Sequence, residues 1–402
     1  MKYYFITTIF MFGAGSSYAF TFQEAIESIS KHASVQAIEQ KSNATEQEGK
    51  NMSAWGDPML KVTAKNFPIE SLSFDQTPMT GIEFGIAQNI PITNKFGKIQ
   101  DAYNQLALAT QYQSQDKKRE LIRSLWLILI ENQKIDEEIK IVEENLQWID
   151  NIVLISQRLY ANGSISQQAL LDIKIRQSEL DAQLSNKRFT LKEQVDLLGY
   201  LLGFDHSSID KDSIPWSVLD QADENLNDAK VKSMQHMVAS KESALIAKKR
   251  DLVPDVTLSL GYTLRSDVDQ NGDFVSATIG FPFPVSGKKT ASRIKAMHEK
   301  VSAEKNLEDY NIFKESRLRQ QKNRIEMINQ ELVILNERTI EFAKNSREIT
   351  SKSYSHGTST YIELLQSELK LQELLLQQSQ LEAELRATKV AYKYLSGGNL
   401  HV

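Results

Sequence analysis

A mainly α-helical fold with a small membrane β part is predicted by three observations. A turn pattern is written twice, apolar heptad seams run longer than globular helices allow, and four short segments alternate apolar with small polar residues. The chain of 402 residues holds only 17 Gly and 8 Pro, so long stretches contain no helix breaker.

The turns come first, because an internal repeat decides the topology. Both fit Tyr-x-x-Gly-x-x-Ser/Thr-x-x-x-Leu-Leu: Tyr160, Gly163, Ser166, Leu170 and Leu171, then Tyr354, Gly357, Thr360, Leu364 and Leu365. The match extends to Glu179 with Glu373 and to Leu197–Gly203 with Ala391–Gly397. Upstream it extends to Asn89–Lys98 with Phe281–Lys289. Residues 20–202 and 223–402 therefore form two repeats, each reading helix, two strands, long helix, turn, helix, with a linker over 203–222. Gly163 and Gly357 suit the left-handed residue that ends a helix, and Ser166 and Thr360 suit the cap of the next. Thr360 with Glu363 spells a capping box. The turns fall over 161–165 and 355–359, each the bend of an antiparallel helical hairpin.

The long helices follow from spacing. Leu121, Leu125, Ile128, Ile135, Ile139, Val142, Leu146 and Ile149 keep a heptad seam interrupted once by Asn132. Leu318, Ile325, Ile328, Leu332, Leu335 and Phe342 repeat it. From Lys98 to Tyr160 and from Lys289 to Tyr354 no breaker intervenes, so each stretch of ~63 residues predicts a helix of roughly 95 Å.

The strands are expected over about 58–92 and 254–284. Val256, Leu258, Leu260, Tyr262 and Leu264 alternate with Thr257, Ser259, Gly261 and Thr263; Val275, Ala277, Ile279 and Phe281 alternate with Ser276, Thr278 and Gly280. Leu60, Val62 and Ala64, then Ile82, Phe84 and Ile86, repeat the pattern more loosely. Segments of ~9 to 11 residues with a lipid-facing and a water-facing row suit a membrane barrel. Four strands cannot close one, since open edges are not tolerated in lipid. Two copies would give eight strands and little lumen, whereas three give a twelve-stranded transmembrane β-barrel with an open pore, so a homotrimer is expected.

Composition sets the surroundings. A net charge of −5 leaves no basic footprint for nucleic acid. Lys2, the apolar run Tyr4–Phe12 and Ser17-Tyr18-Ala19 fit a secretory signal over residues 1–19, cleaved after Ala19. The chain has no Cys, which predicts neither disulfides nor a lipid anchor on cysteine. The longest apolar run elsewhere, Leu125–Ile130, is too short for a membrane helix.

Motifs with catalytic or cofactor chemistry fail on spacing, so neither an enzyme nor a bound cofactor is expected. Asp267, Asp269, Asn271 and Gly272 begin like an EF-hand loop, yet Thr278 stands where the bidentate Glu belongs; a polar hairpin loop from Asp267 to Asp273 competes with weak cation contact. Ser286–Thr290 lacks the upstream glycine of a phosphate loop, because Pro282 stands there, and reads instead as a strand-to-helix corner mirrored by Lys95–Lys98. The six histidines, His206 among them, lack metal-ligand spacing. Met234, His236 and Met237 offer soft-metal ligands against an ordinary packing role. Asp172 and Glu363 follow the two bends; in a trimer they would form carboxylate rings that gate a pore tip, unless Glu363 only completes its cap and Asp172 is merely solvated.

On these residues the chain resembles the TolC family of bacterial outer-membrane efflux channels. The likeness runs from Phe20–Ala37 to the final YLSGG and is most specific at Ser353–Thr360 followed by Tyr361-Ile362-Glu363-Leu364-Leu365. It implies a homotrimer whose hairpins form an α-barrel, a twelve-helix tunnel beneath the β-barrel, in the outer membrane of a Gram-negative bacterium. The partners it implies are outer-membrane lipid, a periplasmic adaptor and an inner-membrane efflux pump. Glu363 matches a family acid at the tip aperture; Gln366 holds the place of a second, and Asp172 sits at the equivalent site of the first repeat. Adaptor docking is expected at Arg158, Leu159, Gly163, Ser164, Tyr354, Gly357 and Thr358. Asp57–Thr80 resembles members paired with heavy-metal cation pumps, so metal cations or drugs are the expected substrates. The alternatives are a type I protein secretion channel of the same fold and a soluble periplasmic coiled-coil scaffold.

Overall fold

Eight helices and four strands carry the described chain. The computed structural model describes residues 20–203, 208–222, 226–266 and 268–401; the expected signal segment, His206 and Asp267 lie outside them. By packing, the chain divides into two units, one of Met1–His32, Lys118–Leu226 and Leu318–Val402, the other of Ala33–Lys117 and Asn227–Arg317. This division follows packing rather than the repeat written in the sequence.

In the first unit α1 (Phe22–Ser30) starts at a capping box, with Thr21 Oγ1 accepting from the Glu24 N–H and the Glu24 carboxylate accepting from the Thr21 N–H. Helix α3 (Lys95–Ala161) is continuous for 67 residues and turns into α4 (Gln167–Leu202). Its apolar seam is where the spacing predicts it: Leu121, Leu125, Ile135, Val142 and Ile149 are buried, with Ile128, Ile139 and Leu146 half-buried. Trp126 is fully buried, donates its indole N–H to the Leu400 carbonyl at 2.8 Å, and meets Phe22 and Trp216 at ring separations of 4.9 and 5.5 Å. One indole thus gathers α1, α3, the short turn Trp216–Leu219 and the C-terminal segment. That is why the apolar run Leu125–Ile130 belongs to a core, and among the described residues no helix is long and apolar enough to cross a membrane.

The second long helix departs from expectation. Helix α6 (Lys288–Ile334) gives way to a π-turn over Leu335–Thr339 before α7 (Ile340–Ser355). Leu335 and Ile340 are both buried five residues apart, which is the π rather than the α repeat, and the Thr339 hydroxyl donates to the Ile334 carbonyl five residues back. The extra residue rotates the downstream helix. Phe342, expected on the seam, is 72% exposed, while Ile340 and Ala343 pack with Leu335, Leu371 and Leu374 against α8 (Tyr361–Ser396).

In the second unit, α2 (Ala33–Ser53) and α5 (Ala229–Arg250) lie against the start of α3. Serine hydroxyls join them: Ser42 donates to the Ala107 carbonyl, Ser233 to Ala109 and Ser240 to Ala102, at 2.7 to 2.8 Å. A side chain at Gly49 would stand 2.6 Å from Tyr103 Cβ, so glycine there sets the α2–α3 approach. His236 stacks on Tyr112 at 5.2 Å, and its Nδ1 bonds Gln105 Oε1 at 2.7 Å, so the imidazole ring has a packing role between α5 and α3.

The sheet is antiparallel, in the order β1 (Met59–Lys65), β2 (Gly81–Ile90), β3 (Val256–Arg265), β4 (Phe274–Gly280). β2 and β3 have 10 residues and the outer strands only 7, shorter than the length expected for β1 and β4. Register makes the alternation two-dimensional. Val62, Phe84, Tyr262 and Val275 form one row, and Leu60, Ile86, Leu260 and Ala277 another. These rows lie on one face and are open, Leu60 being 80% and Val275 77% exposed. The opposite face carries Lys61, Gly85, Gly261 and Ser276 in one row and Thr63, Glu83, Thr263 and Phe274 in the next, with Glu83 ion-paired to Lys65. In the β3–β4 loop Asp269 binds Arg265 and Asn271, and Asp273 accepts from the Arg265 N–H and the Tyr262 hydroxyl; these acids are engaged within the hairpin.

The mirrored corners meet. Lys95 Nζ donates to Asp251 at 2.8 Å and Asp255 at 2.6 Å, and Lys289 Nζ donates to the Asp251 carbonyl at 2.5 Å. Burial alone would lower the Lys95 pKa, but hydrogen bonds and charge from the two aspartates outweigh it and raise the value above 10.5. Replacing Lys95 by Met leaves two carboxylates facing each other and is expected to cost about 3 kcal/mol, read as an earlier thermal transition. Because the folded pKa is raised, the wild-type contribution is complete below pH 10.5 and lost as pH rises through the folded value. Lys95→Met should lack that alkaline loss; equal alkaline sensitivity would contradict the assignment.

Candidate functional site

The two hairpin bends share one backbone solution. Gly163 and Gly357 both have φ of 72°. Gly163 N–H donates to the Tyr160 carbonyl at 2.9 Å and Ser164 N–H to Leu159 at 2.8 Å; Gly357 donates to Tyr354 at 2.9 Å and Thr358 to Ser353 at 2.9 Å. This paired pattern is the Schellman stop, which closes the last carbonyls of the helix and requires a left-handed residue. Ser166 Oγ then accepts from the Ala169 N–H at 3.1 Å, and Thr360 Oγ1 from the Glu363 N–H at 3.3 Å. Nothing lies within 4 Å of where a side chain at either glycine would begin, so the glycines serve backbone conformation and leave the surface open.

The expected site residues take different positions. Arg158, Gly163, Ser164, Gly357 and Thr358 are exposed and Leu159 is half-buried. Tyr354 is a correction to the docking set: it is 1% exposed. Its ring sits in a core with Ile149, Ile152, Ile173 and Leu364, and its hydroxyl pairs with Ser156 Oγ at 2.9 Å. The equivalent Tyr160 is exposed, so one tyrosine of the repeated motif holds the two hairpins together while the other faces outward.

Glu363 is exposed and completes its capping box, accepting from the Ser359 hydroxyl at 2.5 Å and the Thr360 N–H at 2.9 Å. The Ser359 hydroxyl chiefly, with the Thr360 backbone and hydroxyl, holds its carboxyl below the ordinary 4.5. Asp172 is half-exposed and accepts from Gln168 Nε2 at 2.7 Å. It also accepts from the Tyr361 hydroxyl, which raises the tyrosine pKa. Asp172 therefore ties the start of α4 to the start of α8, a link the sequence reading missed because Tyr361 belongs to the other repeat.

Deeper in the same unit lies a buried ion pair, also missed. Arg176 grips Glu368 through Nε at 3.1 Å and a terminal nitrogen at 3.3 Å, and it reaches Glu179 and Gln372. Arg176 is 5% and Glu368 0% exposed. The signal was present: Arg176 interrupts the apolar stripe Ile173, Leu180, Leu184, and Glu368 interrupts Leu364, Leu371. Among the described residues no cluster of three or more His, Asp or Glu could hold a metal ion.

Comparison with known proteins was informative at the level of structure alone. No family model matches the sequence, and no curated protein matches it. Among solved structures, the outer membrane protein VceC from Vibrio cholerae superposes with a TM-score of 0.77 at 15% identity, covering 94% of this chain and 96% of that one. The outer-membrane channel OprN gives 0.76 at 15% identity, covering 94% and 90%. CusC, a protein described through its folding and transmembrane channel formation, gives 0.73 at 14% identity, covering 97% and 96%. The chain thus has the fold of the TolC-like outer-membrane channels.

Replacing Arg176 by Met strands the Glu368 carboxylate and should destabilise the helical unit by about 3–5 kcal/mol. The double variant Arg176→Met with Glu368→Leu should recover most of that loss in denaturation followed by circular dichroism. A double variant as unstable as the single one would refute the pairing.

Proposed function

We propose that the chain is the exit duct of a tripartite efflux system in a Gram-negative outer membrane. Three copies join their sheets into a twelve-stranded barrel, the helical hairpins extend into the periplasm, and a periplasmic adaptor with an inner-membrane pump supplies cargo and energy. The two-faced sheet is the observation that carries this reading. Its apolar rows are open on one face, its glycine- and threonine-rich rows lie on the other, and its outer strands each have one neighbour. A soluble scaffold has no use for that arrangement, since an exposed apolar sheet with free edges invites aggregation in water. A type I secretion channel would use the same wall.

No chemistry is performed on the cargo. The wall separates lipid from water, and the tip restricts passage. Glu363 and Asp172, brought to a threefold axis, would favour cations, and Glu363 would remain ionised in mild acid because its carboxyl is held below the ordinary range. The exposed tip residues Arg158, Gly163, Ser164, Gly357 and Thr358, with Leu159 behind them, are the proposed adaptor surface. Drugs and heavy-metal cations are the proposed cargo classes.

Purified protein in planar bilayers should conduct ions. Cation preference should hold from neutral pH to about 4.5 and weaken below it. Glu363→Gln, which keeps a capping side chain, should weaken that preference at neutral pH without changing the melting transition. Absence of any conductance, or recovery of the protein wholly in the soluble periplasm without detergent, would contradict the duct.

A further inference from the structure

All four junctions between strand and helix fall at one end of the sheet, within the second unit, where α2 and α5 lead into β1 and β3 and where α3 and α6 follow β2 and β4. That end carries an apolar belt. Trp55 before β1, Ile92 after β2, and Phe281, Phe283 and Val285 after β4 are all exposed. The last three extend the apolar pattern of β4 beyond Gly280, its last paired residue. The Val285 N–H donates to the Phe283 carbonyl at 3.0 Å across Pro284, a γ-turn that shapes the segment without a strand partner.

Cations stand just beyond the belt. Residues 54–58, 91–101, 246–255 and 281–293 hold eight Lys and Arg against four Asp, in a chain whose net charge is −5. Three of the acids are engaged, Asp251 and Asp255 by Lys95, with Lys289 also on Asp251, and Asp101 by Lys98; the fourth, Asp57, is exposed. Lys248, Lys249, Lys288 and Arg293 are exposed and have no carboxylate partner among the described residues. Arg250 donates to the Asn94 carbonyl, which leaves its charge unmatched. The pair Lys241–Glu299, at 2.9 Å, sets α5 beside α6. From it Lys248 and Arg293 both lie ~10 Å nearer the sheet, each along its own helix, so the two cations reach one level. The far end of the sheet has the reverse sign, since residues 66–80 and 266–273 hold five acids and no Lys or Arg.

A lipid leaflet answers these features in the order observed, with acyl chains against the sheet, aromatic residues at the boundary and phosphates at the cations. We propose that this helix-side rim binds the headgroups of anionic phospholipids, with Phe281, Phe283 and Val285 at the acyl boundary and Lys248, Lys249, Lys288 and Arg293 on the phosphates. The surface rests on the proposed duct, since it needs the sheet in lipid, and it adds which lipid the rim selects.

The test uses the full chain in phosphatidylcholine vesicles doped with spin-labelled phosphatidylglycerol or spin-labelled phosphatidylcholine, read by electron spin resonance. The lipid immobilised by the protein should favour the anionic probe by about fivefold, the equivalent of one cation at an anionic surface, and about 1 M salt should abolish the preference. Lys248→Gln with Arg293→Gln should remove most of it, whereas the charge-keeping pair Lys248→Arg with Arg293→Lys should retain it. Lys305→Gln, ~25 Å along α6 from Lys288, should leave it unchanged. Equal immobilisation of the two probes, as an acidic protein surface at these cations would give, would overturn the rim assignment and leave the duct standing. So would a preference unchanged in the Gln pair, or lost equally in Lys305→Gln. Immobilisation of neither probe would contradict the duct itself and this surface with it.

Discussion

Free backbone at the two sheet edges is the constraint on which the rest depends. The order β1-β2-β3-β4 leaves β1 and β4 with one neighbour each, so a row of N–H and C=O groups on either side awaits a partner. In water such edges are blunted by charge or proline; in lipid they must be closed. The rows that run through Val62, Phe84, Tyr262 and Val275 supply the matching surface, because register gathers Leu60, Ile86, Leu260, Leu264 and Ile279 on that same side. A one-residue slip of any strand would mix the apolar and the polar rows. The glycine pair Gly85 and Gly261 belongs to the same logic: a side chain at Gly261 would begin 2.9 Å from Glu83, which folds across that row.

The helical part solves a different problem, that of holding long antiparallel hairpins in one relation near their bends. Ordinary apolar seams do most of the packing, and polar groups fix the register between hairpins. Tyr354 with Ser156, Tyr361 with Asp172, and Arg176 with Glu368 all join residues of different repeats. Buried polar pairs add less to stability than to specificity, since an offset by one turn would strand their partners. The π-turn at Leu335–Thr339 acts in the same sense, because it rotates α7 so that Tyr354 turns inward.

Much of this was legible in the sequence, and the limits were physical. Turns declared themselves through glycine, whose positive φ few other residues adopt, and through the caps at Ser166 and Thr360. The seam from Leu121 to Ile149 followed from spacing alone. Phe342 was misplaced because a π-turn alters phase without any change in composition. The outer strands proved shorter than the alternation implied, since residues such as Phe281 keep the pattern after pairing has stopped. Tyr354 was expected at the docking surface because it stands at the second hairpin tip; its burial depends on contacts between repeats that no local window contains. Arg176 and Glu368 were visible as charges on apolar stripes, but only the fold makes them partners.

Edge closure can be measured directly, because the chain has no native cysteine. Single cysteines placed at Lys61 or Thr63 on β1 and at Ser276 or Thr278 on β4 can form disulfides only between strands brought side by side. Oxidation in outer membranes should give a ladder that ends at three chains for at least one pairing, with that band lost on reduction. A ladder that ends at two chains, one that continues without limit, or no crosslinking from any pairing would contradict a barrel closed by three copies.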